Sequence, residues 1–150
     1  MFNKLLYPTD FSDHSKKVIP FIKKLKETGT KEVIILHVID TNHDSLIKTF
    51  TMLTESMKHQ LEIDFVKDVS EAADKKIKEV MDELGNDFEI KIIIDKGVPF
   101  KKIIEIADNE NVSAIVMCSH GASDIQEIVL GSVTDKVIRK SKQPCLIIKR

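Results

Sequence analysis

The sequence predicts a three-layer α/β/α domain in which helices wind doubly, in the Rossmann-like manner, about a five-stranded and mainly parallel sheet. Three observations predict it. Apolar runs rich in β-branched residues alternate with longer segments of helical period, which is the pattern of βαβ units. Three of those runs, VIILHVI, KIIID and AIVMC, are nearly continuous hydrophobes, as expected of strands covered by helices on both faces. A chain of 150 residues, 42% of them hydrophobic, makes one ordinary domain over 1–150, able to bury about 70% of the surface its unfolded chain exposes.

The first strand runs from Lys4 to Pro8. Ser12, a good N-cap, opens a helix that carries Val18, Phe21, Ile22 and Leu25 on one face and stops at Gly29, a residue type suited to the left-handed position past a helix end. Pro20 inside that helix predicts a kink. The second strand is Glu32 to Ile39. The stretch 40–53 reads as irregular or partly helical. Leu61, Phe65, Val69, Ala73, Ile77, Val80 and Leu84 then sustain a helical stripe that Gly85 ends. Extending this helix back to Thr51 would make it about 50 Å long at 1.5 Å per residue, too long for so small a domain.

The third strand is Glu89 to Asp95. A helix follows from Pro99, where a missing N–H costs nothing, and buries Ile103, Ile104 and Ala107. The fourth strand is Ser113 to Ser119. The last helix begins after Gly131, where Ser132, Val133, Thr134 and Asp135 form a capping-box-like S-x-x-D, with Val133, Val137 and Ile138 facing inward. The fifth strand is Pro144 to Lys149, and no linker, repeat or low-complexity tract interrupts the series.

A net charge of -1 from 24 acids and 23 bases gives no overall pull toward nucleic acid or an anionic membrane. Charge is uneven along the chain: the last twenty residues carry +5 and residues 51–90 carry -6, which solvated faces and helix-end complementation explain. Cys118 and Cys145 lie in apolar runs without CxxC or Cys/His spacing and read as reduced core thiols. No apolar stretch approaches the roughly 20 residues of a membrane span, and MFNKLLYPTD is too polar for a signal segment. These features predict a cytoplasmic protein without nucleic-acid or membrane partners.

The informative stretch is CSHGASDIQEIVLGSVTDK, residues 118–136, with Gly121 just past the fourth strand and Gly131 with Ser132 opening the last helix. Ligands of open α/β sheets bind at the carboxyl ends of strands. A helix N-terminus there presents unpaired N–H groups and about half a positive charge, and glycine lets the backbone approach phosphate oxygens without a Cβ in the way. The same residues also serve a plain loop-to-helix turn in which the Ser132 hydroxyl is spent on the cap. His120 is a lone loop histidine, a residue more often solvated or hydrogen-bonded than catalytic. His14, His37, His43 and His59 show no metal-ligand spacing. With no G-x4-G-K-[ST], no P-loop lysine stabilises phosphoryl transfer, so catalysis is not expected and any hydrolysis would be slow. A phosphorelay receiver would need an acidic pair after the first strand, and only Asp10 is there.

These residues carry a resemblance. The nucleotide-binding universal stress proteins show G-x2-G-x9-G-[ST] near the C-terminus, and here Cys118, Ser119, His120 and Gly121, then nine residues, precede Gly131 and Ser132. YPTDFS at 7–12, LHVID at 36–40, GVPFKKIIEIA at 97–107 and the ending GSVTDKVIRKSKQPCLIIKR are similar to that family in type and order. The resemblance implies strand order 3-2-1-4-5 and bound ATP, with Mg²⁺ or Mn²⁺ carried by its phosphates. It sets adenosine among Pro8, Thr9, Asp10 and Val38, with Asp10 as polar anchor, capping the first helix, or both. Met117, Cys118 and Gly121 line ribose and phosphates, and Gly131, Ser132, Val133 and Thr134 donate N–H groups and hydroxyls to the phosphates.

Cys118 departs from the pattern, standing where the first motif glycine is expected. Its thiol either crowds the ligand, leaving a nucleotide-free dimeric scaffold, or is turned away from it. The resemblance also implies a homodimer in which the C-terminal strands 144–149 meet antiparallel, with Cys145 and Ile147 near the two-fold axis. The loop framed by Gly121 and Gly131 further suggests a regulatory switch in which ATP orders the 119–130 loop and changes the surface shown to a partner protein.

Overall fold

The computed structural model describes residues 1–41, 71–120 and 130–149. Strands β1 (Lys4–Pro8), β2 (Glu32–Asp40), β3 (Glu89–Gly97), β4 (Ala114–Cys118) and β5 (Cys145–Ile148) form one sheet of order β3-β2-β1-β4-β5. Each pairing is parallel, with Leu6 opposite Ile34 and Ile115, and Met117 opposite Ile147. The helices are α1 (Asp13–Lys16), α2 (Ile19–Leu25), α3 (residues 71–84), α4 (Pro99–Asn109) and α5 (Ser132–Lys140).

Strand alternation sorts the core into two halves. Leu5, Tyr7, Val33, Ile35 and Val116 pack toward Val18 and Ile22 of α1–α2 and Ile77, Val80 and Leu84 of α3. Leu6, Ile34, Leu36, Ile115 and Met117 pack toward Ile103, Ile106 and Ala107 of α4 and Val137 of α5. Side chains of this size each contribute about 1.5–3 kcal/mol when fully buried. That burial on both faces is why β2 and β4 could be read as continuous hydrophobes.

Several expectations are corrected. KIIID is not covered on both faces as its hydrophobicity suggested: β3 holds the edge place that the order 3-2-1-4-5 gives it, pairs only with β2 among the described residues, and leaves Ile92 43% exposed. Pro20 does more than kink the first helix. It has no N–H for the Lys16 carbonyl, so the helix breaks into α1 and α2 with Pro20 in the first turn of α2. Phe21 faces outward on that second segment, beneath the Lys24 ammonium, and Ile19 is buried in its stead. On α4 it is Ile106 rather than Ile104 that joins Ile103 and Ala107 in the core. On α5, Thr134 is buried and Ile138 is exposed.

Helix stops fall where expected. Gly29 has φ 98° and Gly85 has φ 76°, left-handed values that side-chain-bearing residues rarely adopt. The irregular stretch 40–53 lies outside the described residues apart from 40 and 41, as do Leu61, Phe65 and Val69 of the helical stripe.

Candidate functional site

In a 3-2-1-4-5 sheet the direction in which strands are added reverses between β1 and β4, which leaves a crevice outside their carboxyl ends. A cleft of about 420 Å³ lies there, within the size range of small-molecule sites. Of the eleven residues singled out in the sequence, ten line it: Pro8, Thr9, Asp10, Val38, Met117, Cys118, Gly131, Ser132, Val133 and Thr134. Gly121 and the loop 121–129 lie outside the described residues.

The first wall is the loop after β1. The Thr9 amide donates to the Leu36 carbonyl at 2.8 Å, and its own carbonyl accepts from His37 Nδ1 at 2.9 Å, so the proton of that imidazole is on Nδ1. Thr9 Oγ1 accepts from the Phe11 amide at 3.0 Å and from Ser15 Oγ at 2.8 Å. The fully buried Tyr7 hydroxyl donates to the Ser15 carbonyl at 3.0 Å, and its burial pushes the phenol above its ordinary pKa. The Thr9 side chain therefore holds the loop together. Phe11 completes the turn at φ 60°, with its ring stacked on His37 at 4.5 Å.

Asp10 is exposed at the tip. Its Oδ1 accepts from the Ser12 amide at 3.0 Å and the Ser12 hydroxyl at 2.6 Å, and Ser12 Oγ in turn accepts from the Ser15 amide at 3.2 Å. Ser12 is thus the cap, and Asp10 orients the cap. The carboxylate belongs to the helix start and to the cleft together.

The opposite wall is the start of α5. The Gly131 amide donates to the Ser119 carbonyl at 2.8 Å, and Thr134 Oγ1 donates to the Cys118 carbonyl at 3.1 Å, so the helix start is tied to the end of β4. The capping-box reading is corrected here. Gly131, not Ser132, occupies the N-cap position, and no side-chain cap hydrogen bond forms, so the exposed Ser132 hydroxyl is not spent on a cap. Gly131 has φ -56° and ψ 145°, a conformation open to any residue. What glycine contributes there is the missing Cβ. The amides of Ser132, Val133 and Thr134 are among those an α-helix leaves without intrahelical acceptors, and they carry the positive end of its dipole.

The Cys118 alternative resolves on packing. Its side chain belongs to the half-core of Tyr7 and Val116 on the α1–α3 side, whereas Met117 belongs with Leu36 and Ile103 on the side where the cleft opens. The thiol is turned into the protein. Cys118 and Cys145 are free, the first buried and the second half-buried, and burial raises the Cys145 pKa.

Sequence reasoning missed Ser15, Leu36, Asp40, Pro99 and Ile103 and set His120 aside as a lone loop histidine; all six line the cleft. Asp40 and Pro99 had a signal, since both lie at carboxyl ends of strands or the helix start just beyond. The cleft is polarised: Asp10 and Asp40 stand on the β1–β2 side and the amide-bearing end of α5 on the β4 side. Among the described residues, no three His, Cys, Asp or Glu side chains converge to hold a metal ion, and no helix is long and apolar enough to cross a membrane.

Fold and cleft together define a doubly wound α/β protein with a cleft of small-molecule size at its switch point. The chain belongs to the universal stress protein family, whose model matches residues 1–149. It is 37% identical to universal stress protein MJ0577 of Methanocaldococcus jannaschii, over 100% of this chain and 96% of that one. The solved structure of MJ0577 superposes with a TM-score of 0.84 at 38% identity, covering 100% of this chain and 97% of that one. Two solved relatives share the fold at lower identity. One is a universal stress protein in complex with cAMP (20% identity, TM-score 0.60, covering 99% and 97%), and the other is from Archaeoglobus fulgidus in complex with dAMP (18%, 0.62, 99% and 98%).

Proposed function

We propose that the protein binds ATP in this cleft and acts as a homodimeric regulatory switch in the cytoplasmic stress response, without dedicated catalytic machinery. The observation that carries the reading is the polarity of the cleft. Carboxylates of Asp10 and Asp40 suit the N–H and O–H donors of adenine and ribose, while the amides of Ser132, Val133 and Thr134 suit the phosphates. Val38 and Met117 supply apolar walls between the two ends. Relatives of the same fold that hold cAMP and dAMP support an adenylate as the ligand class. The inward thiol of Cys118 favours this reading over a nucleotide-free scaffold, because the position leaves the cleft open.

Mg²⁺ or Mn²⁺ would be held mainly by the phosphates, with the exposed Ser132 hydroxyl the nearest candidate donor of the chain itself. Among the described residues the half-buried apolar strand β5 has no strand on its outer side, which suits antiparallel pairing with a second copy through residues 144–149. The test of the ligand is direct. Protein purified without added nucleotide is denatured, and the supernatant is scanned and chromatographed; an adenine spectrum and an ATP or ADP peak near one per chain are expected. A supernatant without adenine, together with no uptake on incubation with Mg-ATP, would refute the reading.

A further inference from the structure

Among the described residues, His120 carries the one buried side-chain polar atom that has no hydrogen-bond partner. It follows β4 directly, lines the cleft beside Gly131 and Ser132, and its Nδ1 lies 2.8 Å from Ser119 Oγ. Its Nε2 is buried and, among the described residues, has no hydrogen-bond partner. A buried polar atom left unpaired is costly, so a fold that keeps one at the edge of a site has a reason for it or a ligand for it.

The tautomer follows from Ser119. That serine is buried, its amide donates to the Ile148 carbonyl and its carbonyl accepts from the Gly131 amide. Its hydroxyl proton needs an acceptor, and the only side-chain partner it has among the described residues is His120 Nδ1. The hydroxyl donates, Nδ1 accepts, and the ring proton is on Nε2. The imidazole is therefore held by Ser119 with an N–H donor that meets no acceptor among the described residues, at the cleft that the α5 amides also line.

We infer that His120 is a specificity-determining residue of the site, whose Nε2–H donates a hydrogen bond to a phosphate oxygen of the bound nucleotide. The inference rests on the nucleotide reading above and deepens it. His120 separates phosphorylated from unphosphorylated adenosine, while Asp10, Asp40 and Val38 serve the base and sugar. The serine that positions the ring also ties β4 to Gly131, so the donor and the helix amides are fixed in one unit.

Isothermal titration of the full chain with Mg-ATP and, separately, with adenosine tests this. His120→Phe keeps the ring volume and removes the donor; it is expected to weaken ATP about tenfold and leave adenosine unchanged. His120→Gln, whose amide reaches the Nε2 position, is expected to recover most of the ATP affinity. In the unmodified protein, the ¹⁵N resonance of Nε2 is expected to move on addition of ATP and not of adenosine. ATP affinity unaltered in His120→Phe, an equal loss for ATP and adenosine, or an Nε2 resonance indifferent to ATP would each overturn the role of His120 while nucleotide binding stood. Wild-type protein that takes up neither ligand would overturn the nucleotide reading and this inference with it.

Discussion

Two hydroxyls two residues apart at the start of α5, those of Ser132 and Thr134, are predicted to do opposite work, and Thr134→Val separates them. Thr134 is 5% exposed and donates to the Cys118 carbonyl at 3.1 Å, joining the last helix to the end of β4. Valine matches its shape and removes only the hydrogen bond. A net hydrogen bond contributes about 0.5–1.5 kcal/mol, and an under-satisfied buried carbonyl adds to the loss, so about 1–2 kcal/mol is expected. For 150 residues that lowers Tm by about 2–8 °C. Thermal and urea unfolding followed by circular dichroism measure it, with Thr134→Ser expected to stay near wild type. Ser132→Ala, at an exposed hydroxyl without a cap bond, should hold stability within about 0.5 kcal/mol and weaken Mg-ATP several-fold. A Thr134→Val protein as stable as wild type would refute the assignment of that hydroxyl to the fold, and a Ser132→Ala protein with unchanged ATP affinity would refute the other half.

Further outcomes follow from the same geometry. Gly131→Val should fold with nearly wild-type stability, because φ -56° admits valine, yet lose at least tenfold in ATP affinity through the added Cβ; undiminished affinity on titration would contradict the cradle. Ile147→Glu should place a charge on the β5 edge and convert a dimer to a monomer in sedimentation equilibrium at micromolar concentration, and a wild-type monomer would contradict the proposed assembly. Acid stability should depend on the pairs at the helix ends. Lys91 and then Lys4 hold the Glu110 carboxyl below its ordinary pKa, as Gln143 and then Lys142 do for Asp108. Groups depressed in the folded state stabilise it above the ordinary carboxylate range, about pH 4, and that contribution is lost as pH falls below it. Glu110→Gln should therefore flatten the fall of Tm below pH 4; an acid profile identical to wild type would count against these pairs.

What could be read from the sequence was what local chemistry dictates. Ser12, Gly29, Gly85 and Pro99 marked helix ends because capping, left-handed φ and a missing N–H act within one turn. The runs VIILHVI and AIVMC marked buried strands because both their faces are covered. The resemblance gave KIIID its edge place, but the exposure of β3 was hidden, since a continuous apolar run reads the same whether one or both of its faces are covered. Ile138 and Phe21 fit an inward stripe by spacing alone, and the break at Pro20 rotated one of them out.

The candidate site was legible where motif and strand end coincide, at Pro8 to Asp10 and Gly131 to Thr134. It was not legible where the decision is made by packing at a distance. The direction of the Cys118 thiol depends on which face of β4 residue 118 occupies, and the orphaned Nε2 of His120 depends on Ser119 having no other acceptor. Ser132 was misread as a cap because Gly131 fills the N-cap position without a side chain.

The most direct measurement is a crystal structure of the protein grown with Mg-ATP. Density for a triphosphate within hydrogen-bonding distance of the Ser132, Val133 and Thr134 amides, with adenine between Val38 and Asp10, is the result this account predicts. An empty cleft at saturating nucleotide, or ATP bound elsewhere on the chain, would contradict it.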